Sequence, residues 1–122
     1  MPASKDTISL VKTASKAASD KLGENIVALD VTEPFALAEV FLMISATNER
    51  QAQAIGDAIE DELLKQKVKA RFREGRQTGR WILLDFGDLI VHVMHEQERE
   101  FYSLERLWSD CPVVPLSLIP IL

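Results

Sequence analysis

The stretch Trp81-Ile82-Leu83-Leu84-Asp85-Phe86-Gly87-Asp88-Leu89-Ile90-Val91-His92-Val93-Met94 decides the fold of this 122-residue chain. Two aliphatic runs flank a short break, the pattern of two strands joined by a tight hairpin. With Phe86 and Gly87 as the turn residues, Asp85 faces Asp88, Leu84 faces Leu89, Leu83 faces Ile90, Ile82 faces Val91 and Trp81 faces His92. Side chains alternate between the faces of a strand, so the register sorts them. One face takes Ile82, Leu84, Leu89, Val91 and Val93, an aliphatic set fit for a core. The other takes Trp81, Leu83, Asp85, Asp88, Ile90 and His92, whose mixture of aromatic, aliphatic and charged groups suits a contact surface.

Upstream, Lys67-Val68-Lys69-Ala70-Arg71-Phe72-Arg73 alternates basic and apolar residues with the period of a strand, one face buried and the other cationic. Before it, Ala52, Ile55, Ile59 and Leu63 form the inner stripe of a helix. Asn48 stands three residues before Gln51, the spacing at which a cap and a third-position amide satisfy each other's backbone. Leu37 to Ser45 suits a central strand covered on both faces, and Asn25 to Val31 a short buried strand stopped at Glu33-Pro34. The first element has Ile8, Val11, Ala14, Ala18 and Leu22 at helical spacing, with Asp6 or Thr7 available as its cap and Gly23 placed to end it. Downstream, a last helix runs from about Glu96 to Trp108, burying Phe101, Leu104 and Trp108, with Glu98, Tyr102, Glu105 and Arg106 on or near its exposed flank. Tyr102 fits an interface anchor or a core-edge position about equally well.

At this length, with 47% hydrophobic residues, the chain suffices for one domain with a single core. A charged fraction of 27% and a net charge of -5 suit a soluble cytoplasmic protein rather than a disordered or membrane chain. Cys111 is the single cysteine, which excludes an intrachain disulfide or a thiolate metal cluster and fits a reducing compartment. No secretory signal is recognisable at the N-terminus, and Glu39 interrupts the apolar run from Phe35 to Ala46 well short of a membrane helix.

Three chemistries come into question for these residues. His92 and His95, three apart at the end of a strand, point to opposite faces and do not converge on a metal. Asp85 and Asp88 have the form of a paired carboxylate that holds magnesium in nucleotidyl transfer, but no glycine-rich phosphate loop accompanies them. Aspartates at a hairpin turn are more often there for turn geometry. Lys65, Lys67, Lys69, Arg71, Arg73, Arg76 and Arg80, half of the 14 basic residues, invite contact with RNA. A basic edge strand more commonly just blocks aggregation. Neither a catalytic residue, a cofactor nor a metal is expected.

Four stretches in order, Asn25 to Val31, Asn48 to Ile55, Gly79 to Val93 and Glu98 to Trp108, resemble the ribosomal silencing factors of the Iojap type, with the Trp-to-His hairpin and the Tyr-x-Leu-Glu-x-Leu-Trp helix the most specific. The resemblance implies an α+β domain over residues 1–112. Its mixed sheet of about five strands and flanking helices would be similar to a nucleotidyltransferase fold without the catalytic residues. It implies a protein that binds the large ribosomal subunit through the universal large-subunit protein fourteen. There it would block joining of the small subunit and repress translation when nutrients are scarce. A role in large-subunit maturation and a homodimer off the ribosome are also implied; neither a membrane nor free nucleic acid is expected as a partner. Carried onto this chain, the contact surface comprises Trp81, Asp85, Asp88 and His92 on the hairpin and Tyr102 and Glu105 on the last helix. Ala46 stands where members of the family usually have glycine and Asn48 where serine is common, and asparagine is an equally good cap. For the apolar residues 113–122 three roles are open: packing on the domain, a dimer contact, or disorder.

Overall fold

Asn48 caps the helix that its spacing predicts: its Oδ1 accepts from the Gln51 N–H at 2.8 Å. The computed structural model describes residues 3–33, 37–102, 106 and 108–114, with the backbone alone at 101 and 102. In chain order the elements are α1 (Lys5–Asp20), β1 (Glu24–Asp30), β2 (Val40–Ala46), α2 (Glu49–Lys65), β3 (Phe72–Glu74), β4 (Trp81–Asp85), β5 (Leu89–His95) and α3 (Glu96–Tyr102). The Gln51 carboxamide accepts from the Thr47 N–H at 2.7 Å, one residue before the cap, and donates to the Leu22 carbonyl at 2.9 Å. This ties the start of α2 to the end of α1. Ala52, Ile55, Ile59 and Leu63 are fully buried, as the stripe requires.

Both ends of α1 differ from expectation. Ser4, ahead of Asp6 and Thr7, is the cap, its Oγ accepting from the Thr7 N–H at 3.2 Å. At the other end Leu22, rather than Gly23, takes the left-handed conformation (φ 64) and stands 76% exposed, off the buried stripe of Val11, Ala14 and Ala18. Gly23 is needed for packing: a Cβ there would lie 2.8 Å from the Ile44 side chain.

The five strands form one mixed sheet in the order β1-β2-β5-β4-β3. Two antiparallel ribbons, β1–β2 and β3–β4–β5, meet at a parallel seam where Val40 to Ala46 lies beside Leu89 to His95. The resulting α+β class and five-strand count are those expected from the sequence. Strand β2 is buried along its whole length, whereas Leu37, expected inside it, precedes it and is 74% exposed.

Within the hairpin, Phe86 N–H donates to the Leu89 carbonyl at 2.9 Å, which leaves Gly87 and Asp88 as the turn. Gly87 has φ +95, a conformation natural to glycine at the first central position of a two-residue hairpin, and that fixes the register. Leu84 therefore pairs with Val91, Leu83 with His92 and Trp81 with Met94, two residues from the expected partners. A slip of two preserves side-chain parity. Ile82, Leu84, Leu89, Val91 and Val93 accordingly lie together with α1 and α2 in the main core.

On the opposite face a smaller cluster of Leu29, Val31, Ala38, Phe41 and Met43 is covered by Trp108 and Cys111. Trp108 lies in a turn beyond α3, its ring 5.4 Å from that of Phe41. Just after it, Asp30 N–H donates to the Pro112 carbonyl and Val114 N–H to that of Ala28, both at 2.8 Å, so the chain covers the outer edge of β1 from Ala28 to Asp30. The main chain at Val113 and Val114 thus lies along β1, with the Val114 side chain packed against the main core and that of Val113 60% exposed; 115–122 lie outside the described residues.

The basic strand is shorter than its alternation suggests. Lys67 turns the chain at φ 63, Val68 and Ala70 pack toward the main core, and only Phe72 to Glu74 pair with β4, all exposed. Phe72 lies opposite Asp85, on the face away from the helices, so the expected buried apolar side is not continuous.

Candidate functional site

Strand alternation brings Trp81, Leu83 and Asp85 of β4, Ile90 and His92 of β5, and Phe72 and Glu74 of β3 onto one face, opposite α1 and α2. Phe72 is 45% exposed, while Trp81, Leu83 and Ile90 are half-buried. Glu74, Gly75, Trp81 and Leu83 line an open depression of about 510 Å³. Gly75, at φ +81, allows the loop to pass over β4: a Cβ there would lie 1.9 Å from the Trp81 carbonyl oxygen. The Trp81 main chain is thus held by a close approach that only glycine permits.

The hairpin carboxylates differ in their engagement. Asp85 Oδ1 accepts from the Gly87 N–H at 2.7 Å and from Arg71 Nε at 3.0 Å, so turn geometry and an ion pair already occupy it. Asp88 is exposed at the turn, and its main-chain carbonyl accepts from the N–H groups of Glu39 and Val40. His92 is 5% exposed and lies within the sheet face rather than at its surface. Its Nδ1 accepts from Trp81 Nε1–H at 3.1 Å, and its ring meets Phe41 edge-on at 5.2 Å. Burial, which removes the hydration that would favour the charged ring, pushes the imidazole down from 6.5 to about 4. The side chain of Tyr102 and the whole of Glu105 lie outside the described residues. Trp81 and Asp85 thus share one face at opposite ends of β4, Asp88 stands exposed at the turn beyond Asp85, and His92 is buried beside Trp81.

His95, on the other side of β5, accepts at Nδ1 from the Gln97 N–H at 3.1 Å and so starts α3. Among the described residues no group of three or more His, Cys, Asp or Glu side chains could hold a metal ion. The basic segment is largely neutralised by carboxylates. Arg73 pairs with Glu60 at 2.6 Å, Arg76 with Asp57 at 2.6 Å, Arg80 with Glu98 at 2.9 Å and Lys65 with Glu62 at 2.7 Å. The Arg73 and Arg76 pairs tie β3 and the loop after it to α2, while Lys67 and Lys69 stay exposed. Phe72, Leu83 and Ile90 belong to the exposed face although none was singled out as a site residue. The hairpin alternation signals Leu83 and Ile90, whereas Phe72 is concealed by the change of parity after Ala70.

Residues 4–120 match the family described as "Ribosomal silencing factor during starvation". The chain belongs to that family. Ribosomal silencing factor RsfS of Bacillus subtilis is 39% identical over 108 residues, which span 88% of this chain and 92% of that relative. The chloroplastic protein Iojap of Zea mays is 30% identical over 111 residues, 91% of this chain and 48% of the longer plant protein. Among solved structures, protein CV0518 of Chromobacterium violaceum superposes with a TM-score of 0.82 at 30% identity, over 84% of this chain and 85% of that one. A Bacillus halodurans protein gives 0.78 at 34% identity, over 93% of this chain and all of its own. The mixed sheet with flanking helices is thus the fold of ribosomal silencing factors, and translation regulation is the function class to which the chain belongs. Among the described residues no helix is long and apolar enough to cross a membrane.

Proposed function

We propose that this silencing factor acts in the cytoplasm by docking on the large ribosomal subunit, through the universal large-subunit protein fourteen, and keeps the small subunit from joining. The observation that carries the reading is the β3–β4–β5 face, where Trp81, Leu83, Phe72 and Ile90 remain partly exposed on the side that Asp85 shares, with Asp88 exposed at the adjoining turn. An apolar aromatic patch with an acidic rim fits a protein surface that is basic at its edge. Repression by occupying space needs no catalytic centre, and the engagement of Asp85 by Gly87 and Arg71 fits a structural rather than a metal-binding carboxylate. Tyr102 and Glu105 would extend the surface onto α3.

Co-sedimentation with purified large subunits, joined to light scattering of subunit association, tests this reading. Wild-type protein should pellet with large subunits and slow association. Trp81→Ala, which removes the central aromatic, and Asp88→Lys, which reverses an exposed charge, should each weaken docking roughly tenfold or more while leaving the fold intact. Wild-type protein that fails to pellet, or pellets without slowing association, would overturn the assignment. Equal affinity of both variants and wild type would remove the proposed face.

A further inference from the structure

Tryptophan carries only a hydrogen-bond donor, so the 3.1 Å contact from Trp81 Nε1 to His92 Nδ1 defines the state of both partners. Nδ1 must be the unprotonated nitrogen and Nε2 must carry the proton. The β4–β5 register explains the contact: Leu83 faces His92 directly, and Trp81 reaches it along the diagonal from its position opposite Met94. His92 is in turn held in place. It is buried, it meets Phe41 edge-on, and Phe41 meets Trp108 in the same manner at 86°. The run Trp108, Phe41, His92, Trp81 thus leads from the fixed cover of the smaller core to the half-exposed indole lining the open depression. The indole is braced at its polar edge, and the imidazole that braces it has almost no surface of its own to offer a partner. Buried and uncharged near neutral pH, it stays a proton acceptor there.

We infer that His92 is a positioning residue, which orients the Trp81 indole for docking through the Nδ1 acceptor rather than by touching the partner. This rests on the proposed docking face, but its central measurement is made on the free protein. Three variants separate acceptor from bulk. His92→Asn keeps an acceptor close to the Nδ1 position, His92→Gln places it one bond further out, and His92→Leu has none.

The test follows the Trp81 indole N–H in proton–nitrogen correlation spectra, assigned by its loss in Trp81→Phe, together with affinity for large subunits. In His92→Leu and His92→Gln the Trp81 signal should move and its solvent exchange quicken about tenfold or more, with the remaining amide spectrum largely retained, and affinity should fall about tenfold. His92→Asn should restore both. An unchanged indole signal in His92→Leu and His92→Gln overturns the inference, as does a changed signal with wild-type affinity. If His92→Leu does not fold, the contrast between Asn and Gln decides, and equal behaviour of those two overturns it. Wild-type protein that shows the protected indole but does not bind large subunits refutes the docking reading, and with it the role of His92 in docking, while the brace itself stands.

Discussion

Leu22 holds a left-handed backbone at the end of α1 while its side chain stands in solvent, a combination that sacrifices conformational energy for little burial. Leu22→Gly should therefore raise unfolding free energy by about 1 kcal/mol, read from urea denaturation midpoints at unchanged slope. The histidine beneath the indole leads to a second expectation. Its folded-state value of about 4 lies below the ordinary 6.5, so between these values the unfolded chain binds the extra proton. Its contribution is whole above 6.5 and is lost as pH falls toward 4. About 2 kcal/mol should disappear between pH 7 and pH 5, and the loss should be absent from His92→Asn. Asp30 does not blur this window. Burial would raise its carboxyl, but hydrogen bonds from Thr32 and from the Ala3 N–H outweigh burial and hold it below its usual 3.8, so its contribution fades only at lower pH.

Short motifs were legible wherever chemistry and spacing agreed. The cap at Asn48 and the stripe of α2 follow from side-chain type and helical period, and both appear as expected. The hairpin faces were legible because parity survives a slip of two, while the register itself was not, since it depends on which residue tolerates φ +95. The basic strand misled for a related reason: alternation holds only while the chain stays extended, and Lys67 and the segment after it do not. The edge role of the segment after Trp108 was invisible, because main-chain pairing leaves no mark in side-chain pattern. That pairing should be measurable. Truncation after Cys111 removes the carbonyl of Pro112 and the N–H of Val114, so the Asp30 amide should exchange with solvent about tenfold faster or more. The uncovered β1 edge should also raise the tendency to aggregate, read by light scattering on warming. Unaltered exchange at Asp30 would show that this closure contributes nothing.

At the scale of the whole molecule, charge is distributed unevenly in its availability rather than its amount. The arginines from Arg71 to Arg80 are engaged with carboxylates, whereas Asp88 and the net charge of -5 remain to act at a distance. Raising salt from 50 to 300 mM should slow association with large subunits about tenfold and alter dissociation far less, as stopped-flow or biosensor traces would report. An association rate indifferent to salt would exclude steering by this charge. The proposed docking face was legible in the sequence only as a set of outward positions; that His92 lies buried within it depends on Phe41, which belongs to the other ribbon. The union of those ribbons also bears on how the protein is made. Each can zip from neighbouring sequence, but the parallel seam needs Val40 to Ala46 to wait for Leu89 to His95. During synthesis that seam cannot close before Leu89 to His95 has left the exit tunnel, which leaves the β5-facing flank of Val40 to Ala46 without its partner until then.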